Sequence, residues 1–230
     1  MHYFKFYPNV EYKIKEVTGF YMYASCLENL NDPYEGSIRN IKILKPLAQE
    51  VKAQCYRRHI TCLSHSETNA IVFENDYMWD LYANRHKGFC IEFNEQILNG
   101  LESLTDNTDA SHLYNIYVDV QYGPNVLCID RIDNAHSIID ILGHKLDKWE
   151  REQETRLIYR NIPIKPKRGV FSNGNLIGQL VPIKAREKAI CAIYLGRLAS
   201  LEQLKPVVTF ADKYNIPCYK MELSMKRVRV

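Results

Sequence analysis

The stretch Tyr77–Phe93, YMWDLYANRHKGFCIEF, constrains the fold more than any other part of the chain. Asn75 or Asp76 can cap a helix with a side-chain oxygen, and Gly88 falls where a left-handed residue would end that helix. After Gly88, large apolar residues alternate with smaller or polar ones, which is typical of a strand. The stretch therefore predicts a helix that turns sharply into a strand.

One face of this predicted helix is rich in aromatic side chains. Met78, Trp79 and Tyr82 share that face, and His86 would follow one turn later on the same side. Aromatic residues at helical spacing usually pack in a core, and this interpretation is favoured for Met78 and Trp79. For Tyr82 and His86, which lie nearer the chain reversal, core packing and ligand contact are both open.

The composition is that of a globular protein. Of the 230 residues, 46% are hydrophobic and 25% are charged, and no linker rich in Pro, Gly or Ser divides them, so we expect one domain over residues 1–230. No apolar run approaches the roughly 18 residues of a membrane helix. The first residues lack the pattern of a secretory signal. We therefore expect a cytoplasmic protein that does not contact membranes.

Several function classes are disfavoured by what the sequence lacks. The seven cysteines are scattered singly without a CxxC pair, which indicates reduced thiols. There is no HExxH motif or Cys/His cluster, so the spacing predicts no metal site. The absence of a glycine-rich phosphate loop argues against an ordinary NTPase or a Rossmann dehydrogenase. A net charge of +3 is too small to indicate a general nucleic-acid binder.

Two polar stretches are candidates for a site. Asn31 and Asp32 precede Pro33 in a stiff turn, which is either turn chemistry alone or a support that holds polar groups toward a ligand. Further along, the apolar spacing of Ile138–Leu146 predicts a helix that reaches Trp149.

The second polar stretch follows that predicted helix. Glu152, Glu154 and Arg156 would project from one face at the start of a strand. A surface ion pair worth at most about 1 kcal/mol would explain this pattern. However, Trp149 nearby indicates partial burial, and sites are commonly built at the start of a strand on a rigid scaffold.

Over the whole chain, the patterns predict about eight strands and four or five helices that do not alternate regularly. The expected fold class is therefore α+β, with a mixed, split β-sheet core flanked by helices.

Four motifs together resemble a bacterial and phage family, the domain-of-unknown-function 2971 family. They are an aromatic opening strand with Lys5, the turn Asn31–Glu35, the string MWxxYAxxHxGFC at Met78–Cys90, and ExExR at Glu152–Arg156. The motif at Met78–Cys90 is the most specific of the four. The resemblance extends over nearly the whole chain. Members often carry an Arg shortly after the opening Lys, where this chain has Tyr7, so no role of that Arg carries over.

A further similarity concerns the order of the motifs. An early basic strand, a central helix that bears Tyr and a late Glu at the start of a strand are similar to the arrangement in ADP-ribosyltransferase-like folds. This similarity implies an enzyme that uses NAD as a substrate and transfers ADP-ribose to nucleic acid or protein. The implied setting is phage defence or toxin–antitoxin conflict, in which the protein acts as a toxin or effector and an antitoxin or defence-system protein is a candidate partner.

The same similarity implies catalytic roles for three residues. Glu154 would stabilise the positive charge that builds on the ribose as nicotinamide leaves. Glu152 would take a proton from the acceptor, and Tyr82 would stack on the nicotinamide.

Six residues are implied to bind the nucleotide. Lys5 or His86 would hold ribose or phosphate oxygens, and Arg156 would pair with the diphosphate or orient the catalytic carboxylate. The implied nucleotide-binding residues are Lys5, Asn31, Asp32, Trp79, His86 and Arg156.

Two other functions remain open. One is a metal-dependent hydrolase or nuclease that holds a divalent ion between clustered carboxylates. Its candidate ligands are Asp32, Glu35, Glu152 and Glu154. The other is a sensor that binds a nucleotide-like ligand without turning it over. Magnesium dependence would favour the hydrolase, and tight binding without turnover would favour the sensor.

Overall fold

Strands dominate the part of the chain that the structure describes. The structure is a computed structural model, and it describes residues 1–32, 58–103, 115–124, 140–160, 169–172, 175–222 and 227–229. The strands are β1 His2–Tyr7, β2 Tyr21–Cys26, β3 Arg58–Ser66, β4 Phe89–Phe93, β5 Glu102–Ser103, β6 Asn115–Asp119, β7 Gln121–Gly123, β8 His144–Leu146, β9 Glu154–Arg160, β10 Gly169–Ser172, β11 Asn175–Pro182, β12 Ile190–Leu195, β13 Cys218–Met221 and β14 Arg227–Arg229. The α-helices are α1 Glu11–Thr18, α2 Ala70–Glu74, α3 Asp76–Tyr82 and α4 Lys205–Lys213. Short 3-10 helices cover Leu27–Asn29, Glu95–Leu98, Asp147–Glu152 and Arg186–Ala189.

The fold is α+β, which confirms the predicted class. Most strand pairs are antiparallel, and helices flank the sheet. The parallel pairs include β12 with β13 and β5 with β6. A separate two-stranded sheet consists of β7 and β8, which are also parallel.

Contacts divide the chain into two compact units. Unit 1 contains Met1–Met22, Leu63–Asn99 and Pro182–Val230, and unit 2 contains Tyr23–Cys62 and Gly100–Val181. Strands β2 and β3 each begin in one unit and end in the other. A compact unit is not by itself an independently folding domain, so the expected single domain stays a prediction.

In unit 1 the strands are ordered β3-β1-β4-β12-β13-β14. Strand β1 lies between β3 and β4 and is antiparallel to both. Successive residues on a strand face opposite sides of the sheet, yet both Phe6 and Tyr7 are buried. Both faces of β1 are therefore covered.

In unit 2 one run of strands is ordered β10-β11-β2-β3, and β6 pairs with both β5 and β9.

The predicted helix that was to reach Trp149 is wrong from His144 onward, because β8 and a 3-10 helix occupy that segment. Strand β8 has only three residues, His144–Leu146, which are too few for their periodicity to distinguish a strand from a helix.

Helix α3 packs on the sheet of unit 1 through Trp79. The helix is capped by Asn75, whose side chain accepts a hydrogen bond from the backbone N–H of Met78 at 3.2 Å. The indole Nε1 of Trp79 donates to the carbonyl of Val72 at 2.7 Å, and its ring meets that of Phe6 edge to face. Trp79 and Met78 belong to the core cluster of this unit, which confirms the packing role favoured for both.

The helix-strand corner exists as predicted, but the helix ends differently. Three consecutive residues, Asn84, Arg85 and His86, adopt left-handed conformations, with φ of 49°, 53° and 62°. The predicted left-handed residue, Gly88, is not among them. Such a run is costly for residues with a Cβ, by about 1–2 kcal/mol each. Backbone hydrogen bonds hold it, including that from the Gly88 N–H to the Ala83 carbonyl at 2.8 Å.

Gly88 is required because the neighbouring backbone leaves no room for a side chain. A Cβ at this position would lie 2.0 Å from the backbone oxygen of Tyr7 on the neighbouring strand. Gly196 has the same role on β12's side of the corner, where a Cβ would lie 2.2 Å from the carbonyl oxygen of His86. The corner can therefore close only because positions 88 and 196, immediately before β4 and immediately after β12, carry no side chain.

We predict that Gly88→Ala lowers the free energy of unfolding by at least about 3 kcal/mol, because the new methyl meets rigid backbone. Urea denaturation followed by circular dichroism measures the change. Gly19→Ala is the milder control, since its Cβ would lie 3.0 Å from the movable Tyr21 ring and 3.1 Å from the Lys15 carbonyl oxygen, and we expect a loss below about 1 kcal/mol. Equal losses in the two variants would contradict the steric explanation.

Candidate active site

Four charged side chains come together inside unit 2. Lys145 belongs to β8, Glu152 to the following 3-10 helix, and Glu154 and Arg156 to β9. Their exposed fractions are 6%, 3%, 2% and 0% respectively. Isolated buried charges are strongly destabilising, so such a group is tolerated only when its members neutralise and hydrogen-bond one another.

The contacts meet that requirement. The ammonium of Lys145 donates to Oε2 of Glu152 at 2.6 Å and to Oε2 of Glu154 at 2.9 Å. Nε of Arg156 donates to Oε1 of Glu154 at 2.8 Å, and Nη1 donates to the carbonyl of Leu142. The ammonium therefore bridges the two carboxylates, and the guanidinium holds one of them from the other side.

The backbone at Gln153 brings the two glutamates to the same ammonium. Gln153 is left-handed, with φ of 44°, and it separates the 3-10 helix from β9. The prediction that Glu152 lies on the strand with Glu154 is wrong, because Glu152 ends the 3-10 helix. Both carboxylates nevertheless reach Lys145, whose ammonium lies 4.9 Å from the centre of the Trp149 ring.

The carboxyl group of Glu154 is ionised. Burial alone raises its pKa, but the charges of Arg156 and Lys145 outweigh this effect. Hydrogen bonds from Arg156 and Cys62 lower it further, and the resulting pKa is about 2. The backbone N–H of Glu154 donates to the hydroxyl of Tyr122 at 2.8 Å, which also fixes the start of the strand.

Lys145 is the member of this cluster that sequence analysis missed. It lies next to Leu146 at the end of the predicted apolar stretch Ile138–Leu146, and it precedes Glu152 by seven residues. A lysine that is carried inward by such a stretch needs a carboxylate partner. This requirement could have identified Lys145 from the sequence as a partner of Glu152 or Glu154.

Two of the predicted ligand-binding residues lie together in unit 1. The rings of Trp79 and His86 stack with centroids 5.2 Å apart, and His86 Nε2 lies 3.0 Å from Oδ1 of Asp76. Burial lowers the pKa of His86 and the charge of Arg197 lowers it further, against the raising effect of Asp76. His86 is therefore neutral near pH 7. Although it lies beyond the end of α3, the left-handed turn returns its ring to Trp79.

The predicted contact of Trp79 with a nucleotide is not supported by its position. Its side chain is 1% exposed, and one face of its ring is covered by His86. The indole nitrogen, its only polar side-chain atom, already donates a hydrogen bond to the carbonyl of Val72. A ligand would have to displace core packing to touch it. Trp79 is therefore a core residue, and its contact with a nucleotide stays an untested prediction.

The other predicted site residues are distributed over both units. In unit 1, Tyr82 is partly buried against the core, and the ammonium of Lys5 on β1 lies 5.8 Å from the centre of the Tyr7 ring. In unit 2, Asn31 is exposed and Asp32 is 4% exposed. The remainder of the predicted turn, residues 33–35, lies outside the described residues.

The metal-dependent alternative is not favoured by the cluster geometry. A divalent ion between Glu152 and Glu154 would have to replace the ammonium of Lys145, which already bridges their oxygens. That exchange would leave a buried lysine without its two carboxylates. Glu35, a further predicted ligand, lies outside the described residues.

We predict that Lys145→Met lowers the free energy of unfolding by about 3–5 kcal/mol, because it leaves a buried carboxylate uncompensated. Lys148→Met is a matched control, since Lys148 is exposed and its ammonium lies 5.3 Å from the same Trp149 ring. We expect the control to lose less than about 1 kcal/mol in urea denaturation. Similar losses in both variants would show that contact with the indole, not charge pairing, is what matters.

We also predict a pH signature for Glu154. Its folded-state pKa of about 2 lies below the ordinary value of 4.5, so its stabilising effect is complete above pH 4.5 and is lost as the pH falls to 2. The difference in unfolding free energy between the wild type and Glu154→Gln should therefore be largest near neutrality and shrink over that range. Glu150→Gln, at an exposed position of the preceding 3-10 helix, is the control. A constant difference from pH 6 to pH 2 would contradict the assignment.

Comparison with known proteins finds one family model that matches a segment of the chain. No curated protein and no solved structure matches the chain. Among the described residues, none of the helices combines the length and the apolar character that crossing a membrane requires. Residues 78–157 match the family model described as protein of unknown function (DUF2971). The resemblance to this family is confirmed over that segment, which starts at Met78 and includes Lys145, Glu152, Glu154 and Arg156.

Proposed function

We propose that the protein is an ADP-ribosyltransferase-like enzyme that breaks the nicotinamide–ribose bond of NAD and transfers ADP-ribose to nucleic acid or protein. The observation that carries this proposal is the state of Glu154, an ionised carboxylate held by two cations in the protein interior. A fixed negative charge of this kind is what a positively charged ribose requires.

The proposed reaction uses that charge in its transition state. As the C–N bond breaks, its electron pair leaves with nicotinamide and positive charge develops on the ribose. The carboxylate of Glu154 would accept a hydrogen bond from a ribose hydroxyl and stabilise this charge more strongly in the transition state than in bound NAD. Because the cluster is shielded from water, the electrostatic effect exceeds that of an exposed carboxylate.

We propose supporting roles for the other members of the cluster. Of the two roles predicted for Arg156, its contacts favour the orientation of Glu154, because its guanidinium donates to that carboxylate and to a backbone carbonyl. Lys145 would hold the two carboxylates at a fixed separation, because its ammonium donates a hydrogen bond to each of them. Glu152 would take the proton from the acceptor nucleophile as the new bond to ribose forms.

Access to Glu154 is part of the proposal. Its side chain is nearly fully buried, so NAD can reach the carboxylate only when surrounding residues move. Closure of a site around its substrate excludes water and protects the reactive ribose from hydrolysis. We therefore propose that NAD binding and local opening are coupled.

The nucleotide contacts implied for Tyr82, Lys5 and His86 stay predictions of the sequence resemblance. These residues belong to unit 1, and the chemistry proposed for the cluster of unit 2 does not depend on them. An enzyme that consumed NAD or modified essential macromolecules in this way would act as a toxin or effector, with an antitoxin or defence-system protein as partner.

The deciding experiment measures nicotinamide release from NAD by the purified protein, with and without cell lysate as acceptor. We expect Glu154→Gln to reduce the rate by roughly 100-fold or more, as removal of one transition-state contact commonly does. Glu150→Gln, an exposed carboxylate in the adjacent 3-10 helix, should retain the wild-type rate. Circular dichroism of each variant separates a loss of chemistry from a loss of folding.

Two further measurements make the outcome decisive. Glu154→Asp keeps the charge but withdraws it by one methylene group, so it should fold if Glu154→Gln does not and should still release nicotinamide slowly. NAD that stays intact with wild-type protein, lysate and magnesium would overturn the proposal. Tight NAD binding without cleavage would instead identify a nucleotide sensor.

A further inference from the structure

Three side chains with metal-binding atoms meet on neighbouring strands of unit 1. They are His2 on β1, Glu92 on β4 and Cys191 on β12. An imidazole nitrogen, a carboxylate oxygen and Sγ lie within 4.8 Å of one another. Within the described ranges of the chain, this is the one group of three such residues with that geometry.

The pair formed by His2 and Glu92 is unusually close for two groups that do not hydrogen-bond. His2 Nδ1 lies 2.7 Å from Oε1 of Glu92, yet this buried nitrogen makes no hydrogen bond of acceptable geometry among the described residues. A ring nitrogen and a carboxylate oxygen both carry lone pairs. At this separation they require a proton or a cation between them.

A β-bulge brings Cys191 to the same place. In the antiparallel pair of β4 and β12, Phe93 is opposite Ile190 and Glu92 is opposite Ala192, so Cys191 is an extra residue in the ladder. In a regular strand, Cys191 would face away from the side that Ala192 shares with Glu92. Bulges redirect single side chains in this way and are enriched beside functional sites.

The three side chains are held by a second layer of contacts. The hydroxyl of Tyr194 donates to Oε2 of Glu92 at 2.6 Å, which leaves Oε1 for another partner. The side chain of Asn94 hydrogen-bonds to Cys191, and its amide nitrogen donates to the carbonyl of Lys188 at 2.9 Å. Burial and the nearby charge of Glu92 raise the pKa of the Cys191 thiol, and the hydrogen bond from Asn94 opposes this rise only in part. Metal ligands are commonly oriented by such outer partners.

We propose that His2, Glu92 and Cys191 form a binding site for a divalent transition-metal ion. The combination of nitrogen, oxygen and sulfur ligands suits Zn²⁺, which is bound by all three at about 2.0–2.3 Å. Three protein ligands leave a fourth tetrahedral position for water or a small ligand, as in catalytic rather than structural zinc sites.

The required movement is small. In a tetrahedral site with such bond lengths, ligand atoms lie about 3.3–3.5 Å apart, so the His2–Glu92 distance must widen and the longer distances must shorten. The His2 side chain is 40% exposed, so its ring can turn on the strand without disturbing a core. On binding, the thiol of Cys191 gives its proton to solvent and the thiolate coordinates the ion.

The test uses the full chain, freed of metal by a chelator and titrated with Co²⁺ as a spectroscopic substitute for Zn²⁺. We expect one equivalent to bind and to produce a thiolate-to-cobalt charge-transfer band that Zn²⁺ displaces. Cys191→Ser should abolish the band, whereas Cys26→Ser should retain it, because Cys26 is an equally half-buried thiol in unit 2. His2→Ala should weaken Co²⁺ binding by roughly 100-fold while leaving the fold intact.

Several results would overturn this site. They are the absence of Co²⁺ binding, binding without a thiolate band, and a band that persists in Cys191→Ser. If Cys191→Ser does not fold, His2→Ala decides the matter, because unchanged Co²⁺ affinity in that variant would exclude the site. The metal proposal shares no residue with the NAD proposal, so either one can fail without the other.

Discussion

The close approach of strand backbones at the helix-strand corner is the constraint on which unit 1 depends. Gly88 and the Tyr7 carbonyl leave no room for a Cβ, and Gly196 meets the His86 carbonyl in the same way. These contacts lock β1, β4 and β12 side by side, and the same three strands carry the proposed metal ligands. Strand separation at the corner therefore determines whether His2, Glu92 and Cys191 can meet at all.

Features that depend on nearby residues could be predicted from the sequence. Asn75 caps the helix as expected, and Glu154 and Arg156 contact each other because alternate strand residues share a face. Gly88 lies at the corner as the sequence predicts, but the left-handed conformation predicted for it is wrong, and the structure requires glycine there for steric reasons. Left-handed geometry is a local property, whereas the clash that requires glycine comes from Tyr7, which pairs with β4 only after folding.

Features that depend on long-range pairing could not be predicted. Lys145 was overlooked because the apolar residues of Ile138–Leu146 fit a helical period, although His144–Leu146 forms a parallel strand. The three proposed metal ligands lie far apart in sequence, and the third is directed by a bulge that no spacing rule reveals. The prediction that no metal site exists rested on short motifs, which detect only ligands that are close in the chain.

The charge balance of the cluster around Glu154 affects the rate at which an anionic ligand can associate with the protein. Two cations and two anions sum to zero within a few ångströms, so their field cancels at the distances over which a diffusing anion is attracted. Capture of a nucleotide would then rely on lysines and arginines elsewhere on the surface, and its association rate would fall with added salt. Ionic strength should leave the chemistry of the cluster itself unaltered, because ions of the solvent do not penetrate a buried network.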